Sequence, residues 1–190
     1  MAERSDDLRK RILRRIRIDL AQEFDRNFER QAFFSQAWQR CRNPAKGDRA
    51  VMIGSGALRR SIKTKSDDTS VEFYSTLPYA AIHNNGGQIR VTAAMKRFFW
   101  AKYYEVTGGF KRRKDGNLSG SMRQQVLSAE AAFYKALALK RTGSVIRIPR
   151  RRFLGSSPEL ERSVSEIVSH TLKEYAGELI NGLKRDISND

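Results

Sequence analysis

The chain has few side chains of the kinds that carry catalysis or hold metals. Its only histidines are His83 and His170, which lie far apart in the sequence, and Cys41 is its single cysteine. Structural zinc sites use Cys and His ligands at short, regular spacings, and this chain has no such set. We therefore expect no metal and no cofactor, and we favour a hydrogen-bonded structural role for His83 over catalysis.

Serines beside glycines and one pair of acids are the remaining candidates for chemistry. Gly54-Ser55-Gly56 and Gly155-Ser156-Ser157 do not fit the Gly-x-Ser-x-Gly nucleophile elbow, and the chain has no phosphate-binding Gly-Lys-Ser/Thr loop. Asp67 and Asp68 are neighbours, so on a strand they would point to opposite faces, and a polar hairpin tip is the better interpretation. The sequence predicts that this protein is not an enzyme.

Positive charge is the strongest feature of the composition. The 190 residues carry a net charge of +16, which favours contact with nucleic acid, anionic surfaces or acidic proteins, with a solvated basic surface as an equal alternative. No apolar run approaches the roughly 20 residues of a membrane span, so no membrane contact is expected. The candidates for contacts with phosphates or acidic partners are Arg9, Lys10, Arg11, Arg14, Arg15 and Arg17, then Lys111, Arg112, Arg113 and Lys114, and then Lys140-Arg141 with Arg147 and Arg150 to Arg152.

Long amphipathic helices are predicted at both ends of the chain. An apolar residue recurs every four positions from Leu8 to Phe28, and no Pro or Gly interrupts the pattern, which predicts one helix over residues 6–40. Another subunit is a natural candidate to cover the apolar stripe of so long a helix. Ser157-Pro158-Glu159 is a strong helix start, and apolar spacings of three and four continue the second helix over 158–186.

The middle of the chain is predicted to form short strands around a helical insertion. Residues 61–65 and 70–75 alternate as a β-hairpin, and residues 88–91 and 145–148 supply further strands. Residues 93–141 are predicted to form a helical hairpin inserted between two strands. Its aromatic residues from Phe98 to Tyr104 suit base stacking or core packing, and core packing is preferred. The expected fold is a single α+β domain over 1–190, a small antiparallel sheet flanked by the long N- and C-terminal helices.

Two short segments are predicted to be shaped connections. In Pro78 to Gly87, Pro78 suits the start of a short helix with Tyr79 and Ile82 inward, and Gly86 or Gly87 supplies the positive φ needed to leave it. The second segment is Ile148-Pro149-Arg150-Arg151-Arg152-Phe153-Leu154-Gly155, in which Pro149 ends a strand. The arginine before Phe153 is predicted to donate hydrogen bonds to backbone carbonyls.

These segments together resemble a known family. Ser55-Gly56-Ala57-Leu58-Arg59-Arg60-Ser61-Ile62, Pro78-Tyr79-Ala80-Ala81-Ile82-His83-Asn84-Asn85-Gly86-Gly87 and Ile148 to Gly155 are similar, in content and order, to the motifs of phage virion-morphogenesis proteins, the tail-completion or neck proteins of Mu-like and related tailed phages and prophages. The resemblance covers about residues 50–190. The residues that would carry its structural motif are Pro78, Tyr79, His83, Gly86, Gly87, Ile148, Pro149, Arg152, Phe153, Leu154 and Gly155.

The resemblance implies an α+β assembly protein with no catalytic residues. It would form a homo-oligomeric ring, often a hexamer, that completes the tail or joins it to the head, with tail-tube, terminator or neck proteins as partners. It would be found in the virion, and in the host cytoplasm during assembly, with its basic surface facing a DNA channel or acidic neighbours. The alternative is a nucleic-acid-binding protein that uses the arginine-rich first helix and the basic loops.

Overall fold

The computed structural model describes residues 2–43, 50–108, 110, 114, 116–117 and 122–188. Six helices and three pairs of antiparallel strands in these residues confirm the α+β class. The strands pair two by two, where the sequence led us to expect one small sheet. In chain order the elements are α1 (Ala2–Arg30), β1 (Ala32–Phe33), β2 (Gln36–Ala37), α2 (Ala57–Arg60), β3 (Ile62–Ser66), β4 (Val71–Ser75), α3 (Ala80–Asn85), β5 (Gly87–Arg90), α4 (Ala93–Gly108), α5 (Met122–Ala138), β6 (Val145–Ile148) and α6 (Pro158–Ser188).

The contacts divide the chain into two compact units. Unit 1 comprises Met1–Ala37, Met52–Ala80 and Arg152–Asp190, and unit 2 comprises Trp38–Val51 and Ala81–Arg151. Each unit is therefore assembled from separated stretches of sequence. Whether the two unfold together, as the single-domain prediction requires, stays a prediction.

Unit 1 is built on α1, which packs against α6 and against the β3–β4 hairpin. Burial along the predicted apolar stripe is deepest at its end, where Leu20, Phe24 and Phe28 are 5%, 3% and 0% exposed. Phe73 of β4 meets the ring of Phe24 edge-on, with ring centres 5.0 Å apart. The core therefore lies at the C-terminal half of α1, where its aromatic residues are concentrated.

Helix α1 ends at Arg30, and the predicted extension to residue 40 is wrong. Gln31 and Phe34 have positive φ angles of 57° and 51°, and the chain reverses there into the β1–β2 hairpin. The buried Asn27 side chain stabilises this reversal, because its Oδ1 accepts a hydrogen bond of 2.9 Å from the backbone N–H of Phe34. The reversal returns Phe33 to the core, where it is 2% exposed. Burial of that ring opposes the helical preference of the segment.

The predicted β3–β4 hairpin forms, with Asp67 at its tip. Ile62 to Ser66 pairs with Val71 to Ser75. The Asp67 carboxylate accepts hydrogen bonds from the backbone N–H groups of Thr69 and Ser70, at 2.8 Å and 2.7 Å. These bonds hold the pKa of Asp67 well below its usual range. Asp67 is thus a turn residue, as the sequence indicated.

Unit 2 contains the antiparallel β5–β6 pair, with the α4–α5 hairpin inserted between its strands as predicted. Thr92 caps α4 by accepting a hydrogen bond from the Met95 N–H at 3.2 Å. None of the 16 residues of α4, all of which are described, is buried. Phe98 and Tyr104 are 55% and 65% exposed, so the preferred assignment to a core is wrong for these two rings, whereas the other aromatics of the set, Phe99, Trp100 and Tyr103, are partly buried. Apolar spacing alone does not separate a core face from an exposed one.

Candidate functional site

The segment Pro78 to Gly87 is a close-packed turn around α3. The helix starts at Ala80 rather than at Pro78, and Tyr79, expected to point inward, is 43% exposed while Ala80 is buried. Gly86 is the glycine with the positive φ, at 73°. A Cβ atom there would lie 3.0 Å from the backbone nitrogen of Arg150, so both the conformation and the space require glycine.

His83 takes part in this turn through its backbone. Its carbonyl oxygen accepts a hydrogen bond of 2.8 Å from the Arg151 N–H, which ties α3 to the segment that follows β6. Burial lowers the pKa of the His83 imidazole, and the charge of Arg151 lowers it further. A lowered pKa favours the neutral imidazole, and the structural role of His83 stays a prediction that this backbone bond supports.

Arg151 connects the second motif to the 38–43 segment within unit 2. It is 8% exposed, and its guanidinium donates to the carbonyl oxygens of Gln39 at 2.7 Å and Arg40 at 3.3 Å. Burial lowers the pKa of this arginine. Carbonyl bonding of this kind is predicted from the sequence for Arg152 and stays a prediction there, while its neighbour Arg151 provides it to Gln39 and Arg40. Five donors in a planar fork suit an arginine to hold two successive carbonyls.

The rest of the second motif anchors the core of unit 1. Phe153 is 1% exposed, and its ring centre lies 5.5 Å from that of Phe28. The Arg152 guanidinium lies over the ring of Phe33, 4.9 Å from its centre, and Leu154 packs on the same core. Cation–π contact and ring packing together fix where the chain enters α6.

Most basic side chains of α1 are engaged by carboxylates. Arg11 contacts Glu178 at 2.8 Å and Arg15 contacts Glu174 at 2.5 Å, both across the α1–α6 interface. Arg9 and Lys10 both pair with Asp6. Arg14 and Arg17 are exposed and make no ion pair with any carboxylate that the structure describes. Two cations of the run therefore link α1 to α6 and two pair within α1, which leaves Arg14 and Arg17 as its described candidates for contact with nucleic acid.

Net charge is distributed unevenly between the units. Unit 1 has 18 Lys and Arg against 17 Asp and Glu, whereas unit 2 has 19 against 4. The excess of +16 is therefore +1 in unit 1 and +15 in unit 2. In the second basic run Lys114 is exposed, and Lys111, Arg112 and Arg113 lie outside the described residues.

A groove in unit 2 brings together residues that the sequence did not connect. It has a volume of about 420 Å³ and is open to solvent. Its lining residues are Gln39, Arg42, Gly87, Gln88, Arg147, Ile148 and Pro149. Arg147 was recognised as basic from the sequence, but Arg42 and the glutamines were missed. The pairing of β5 with β6, which places Gln88 opposite Arg147, is the feature that could have connected Gln88 to this groove.

Metal-ligand clusters and membrane-spanning helices are both absent from the part of the chain that the structure describes. Among them, no three or more His, Cys, Asp or Glu side chains are grouped so that they could hold a metal ion. No helix in that part of the chain is both long enough and apolar enough to span a membrane.

The chain is similar to known proteins at the level of a family. No curated protein and no solved structure matches the chain. The model of the phage virion morphogenesis family matches residues 1–173, which includes all of α1 and ends within α6. The match thus extends the motif resemblance to the first helix, and it covers the larger part of the sequence. The chain belongs to the phage virion morphogenesis family.

Proposed function

We propose that this protein completes the phage tail, or joins it to the head, through contacts between copies of itself arranged in a ring. Membership of the family gives it a role in phage virion assembly and implies a structural protein rather than an enzyme. The expected ring is a hexamer, in contact with tail-tube, terminator or neck proteins. The observation that carries the proposal of self-assembly is an exposed apolar stripe on α6.

This stripe, which we call the α6 stripe, consists of Leu172, Ala176, Leu179 and Ile180. Positions that are four, seven and eight residues apart lie on one side of a helix. Leu172, Leu179 and Ile180 are 45%, 38% and 53% exposed, while Thr171, the neighbouring residue that faces α1, is fully buried. Large apolar side chains aligned on an exposed helix face are typical of a protein–protein contact.

The charges favour a second copy of the chain as the partner that covers the α6 stripe. Unit 1, which carries the α6 stripe, has a net charge of only +1, so two such units can approach without strong repulsion. Unit 2, at +15, would repel its own copy. Contacts between subunits are therefore expected through unit 1.

The double substitution Leu172→Glu and Leu179→Glu tests the proposal. Two carboxylates on the α6 stripe should abolish oligomers, because they cannot be buried unpaired at an interface. The matched control is Leu139→Glu with Val126→Glu, two exposed apolar residues of unit 2 at 63% and 43% exposure. Mass is measured by multi-angle light scattering, alone and with tail-tube protein.

The proposal predicts ring-sized particles for the wild type and the control, and monomers for the α6 variant. Circular dichroism establishes that the variant keeps its helices. A wild type that stays monomeric with and without tail-tube protein, or an α6 variant that still forms rings, would contradict the proposal.

A further inference from the structure

We propose that the groove of unit 2 binds the phosphate backbone of double-stranded DNA. The groove is built from two elements. Arg147 and Gln88 face each other across the β5–β6 pair, on its exposed side, and Arg42 and Gln39 come from the 38–43 segment. All four side chains end in N–H donors, which is the chemistry that phosphate oxygens accept.

The two arginines of the groove are available for such a ligand. Arg42 and Arg147 are exposed, and neither makes an ion pair with a carboxylate in the part of the chain that the structure describes. This contrasts with Arg11 and Arg15 of α1, which are paired with Glu178 and Glu174. An arginine without a carboxylate partner can neutralise a phosphate without first breaking a salt bridge.

Hydrogen bonds from Arg151 stabilise one wall of the groove, the 38–43 segment. Arg151 is buried and donates to the carbonyl oxygens of Gln39 and Arg40, so it fixes the backbone of the segment that carries Gln39 and Arg42. On the other side, Arg90 is the diagonal neighbour of Arg147 on the exposed face of the β5–β6 pair. Diagonal side chains on a strand pair lie about 7 Å apart, which extends the row of positive charge beyond the groove.

A groove of similar size in unit 1 has a different composition. That groove, of about 410 Å³, is lined by Arg15, Asp19, Glu166, Ile167 and His170. Two carboxylates in its wall make it unsuitable for a polyanion. The unit 2 groove has no acid among its described lining residues, and it belongs to the part of the chain with a net charge of +15.

Duplex DNA fits the groove better than single-stranded nucleic acid or an acidic protein. Single strands are held by stacking of bases on aromatic rings, and no aromatic side chain is among the described residues that line the groove. Protein partners usually bury an apolar centre, whereas four of the seven lining residues are Arg or Gln. A duplex requires neither feature, since it offers a regular array of phosphates.

The test compares two double variants that remove the same charge. Arg42→Gln with Arg147→Gln alters the groove, and Arg14→Gln with Arg17→Gln removes two exposed arginines from α1 as a matched control. Fluorescence anisotropy measures the binding of each to a labelled duplex of about 25 base pairs, from about 50 to about 200 mM salt. Light scattering establishes that the compared samples have the same oligomeric state.

The groove variant should bind about tenfold more weakly at the same salt, and its plot of log K against log salt should be less steep by about 2, one ion for each lost phosphate contact. The α1 control should bind like the wild type, and the charge-preserving Arg42→Lys with Arg147→Lys should keep most of the affinity. Equal losses in both glutamine variants, or no binding of duplex DNA by the wild type, would overturn the proposal. So would displacement by polyglutamate or by single-stranded DNA at the same charge concentration as duplex, because the groove would then suit those ligands equally.

Discussion

Truncation of Phe153 to alanine is the most direct test of how the second motif holds unit 1 together. Phe153 is 1% exposed and its ring packs on Phe28, which is fully buried. It stands between Arg152, which lies on the Phe33 ring, and Leu154, which contacts the same core. Loss of this ring therefore removes apolar contact from the core where the chain enters α6.

Phe153→Ala should lower the free energy of unfolding by a large amount. Replacing a fully buried phenylalanine with alanine typically costs about 3–5 kcal/mol, because transfer free energy is lost and a cavity remains. The Phe28 ring, whose centre is 5.5 Å away, loses an aromatic partner worth about 1 kcal/mol within that total. A small protein is stable by about 5–15 kcal/mol. A loss of about 4 kcal/mol should therefore leave Phe153→Ala folded but much less stable.

Urea unfolding, followed by two probes, gives the measurement. Far-ultraviolet circular dichroism reports mainly the helices, while fluorescence reports Trp38 and Trp100, the only tryptophans, which both belong to unit 2. For a slope of about 2 kcal/mol per molar urea, the dichroism midpoint should fall by about 2 M. The matched control is Phe98→Ala, whose ring is 55% exposed and which should change the midpoint little.

The outcome also tests the prediction of a single domain. If the units unfold as one, the dichroism and fluorescence transitions coincide in the wild type and shift together in Phe153→Ala. A fluorescence transition that stays in place would show that unit 2 unfolds independently. A midpoint change in Phe153→Ala no larger than that of the Phe98→Ala control would refute the role assigned to this ring.

Two further perturbations follow from individual contacts. Gly86→Ala should lower the free energy of unfolding more than Gly87→Ala in the same urea assay. Only Gly86 combines a positive φ of 73° with a Cβ position 3.0 Å from the Arg150 backbone. Equal losses of stability in the two variants would contradict this requirement for glycine at position 86. Hydrogen bonding to Arg59 lowers the pKa of Asp25 from its ordinary 3.8, so the stabilisation is present above about pH 4 and is lost as the pH falls through the folded-state value. Asp25→Asn should thus cost about 0.5–1 kcal/mol near neutral pH, and that cost should shrink towards zero in acid; a cost independent of pH would contradict the assignment.

Elements with strong local signals were predictable from the sequence. The caps at Thr92 and Ser157 accept the expected N–H bonds, and the β3–β4 hairpin forms around Asp67. The end of α1 was not predictable in this way. The segment after Arg30 has no Pro or Gly, and it leaves the helix because burial of Phe33 and the hydrogen bond from Phe34 to Asn27 favour the reversal. Those contacts are tertiary, so helical periodicity does not contain them.

The candidate site shows the same division between local and tertiary information. Basic residues are visible in any sequence, but whether each is paired depends on which helix it packs against. From the sequence, Arg11 and Arg15 are candidate phosphate ligands. In the structure they pair with Glu178 and Glu174 of α6. Arg42 has no motif around it, and it becomes part of a groove only because Arg151 holds its segment and β6 supplies the opposite wall.

The partition of charge between the units is compatible with both proposals, self-assembly through unit 1 and binding of a polyanion by unit 2. A net charge of +16 spread evenly would oppose any ring of identical copies, since every interface would bring like charges together. Here α6 contributes the carboxylates that neutralise α1, so unit 1 approaches neutrality and can present the apolar α6 stripe. Almost the whole excess is then left to unit 2, whose Arg42 and Arg147 have no described carboxylate partner. Neutralising that excess with phosphates would in turn reduce the repulsion among neighbouring copies. Ring formation should therefore be favoured by duplex DNA at low salt, and the groove variant should lose that dependence while keeping the α6 stripe intact.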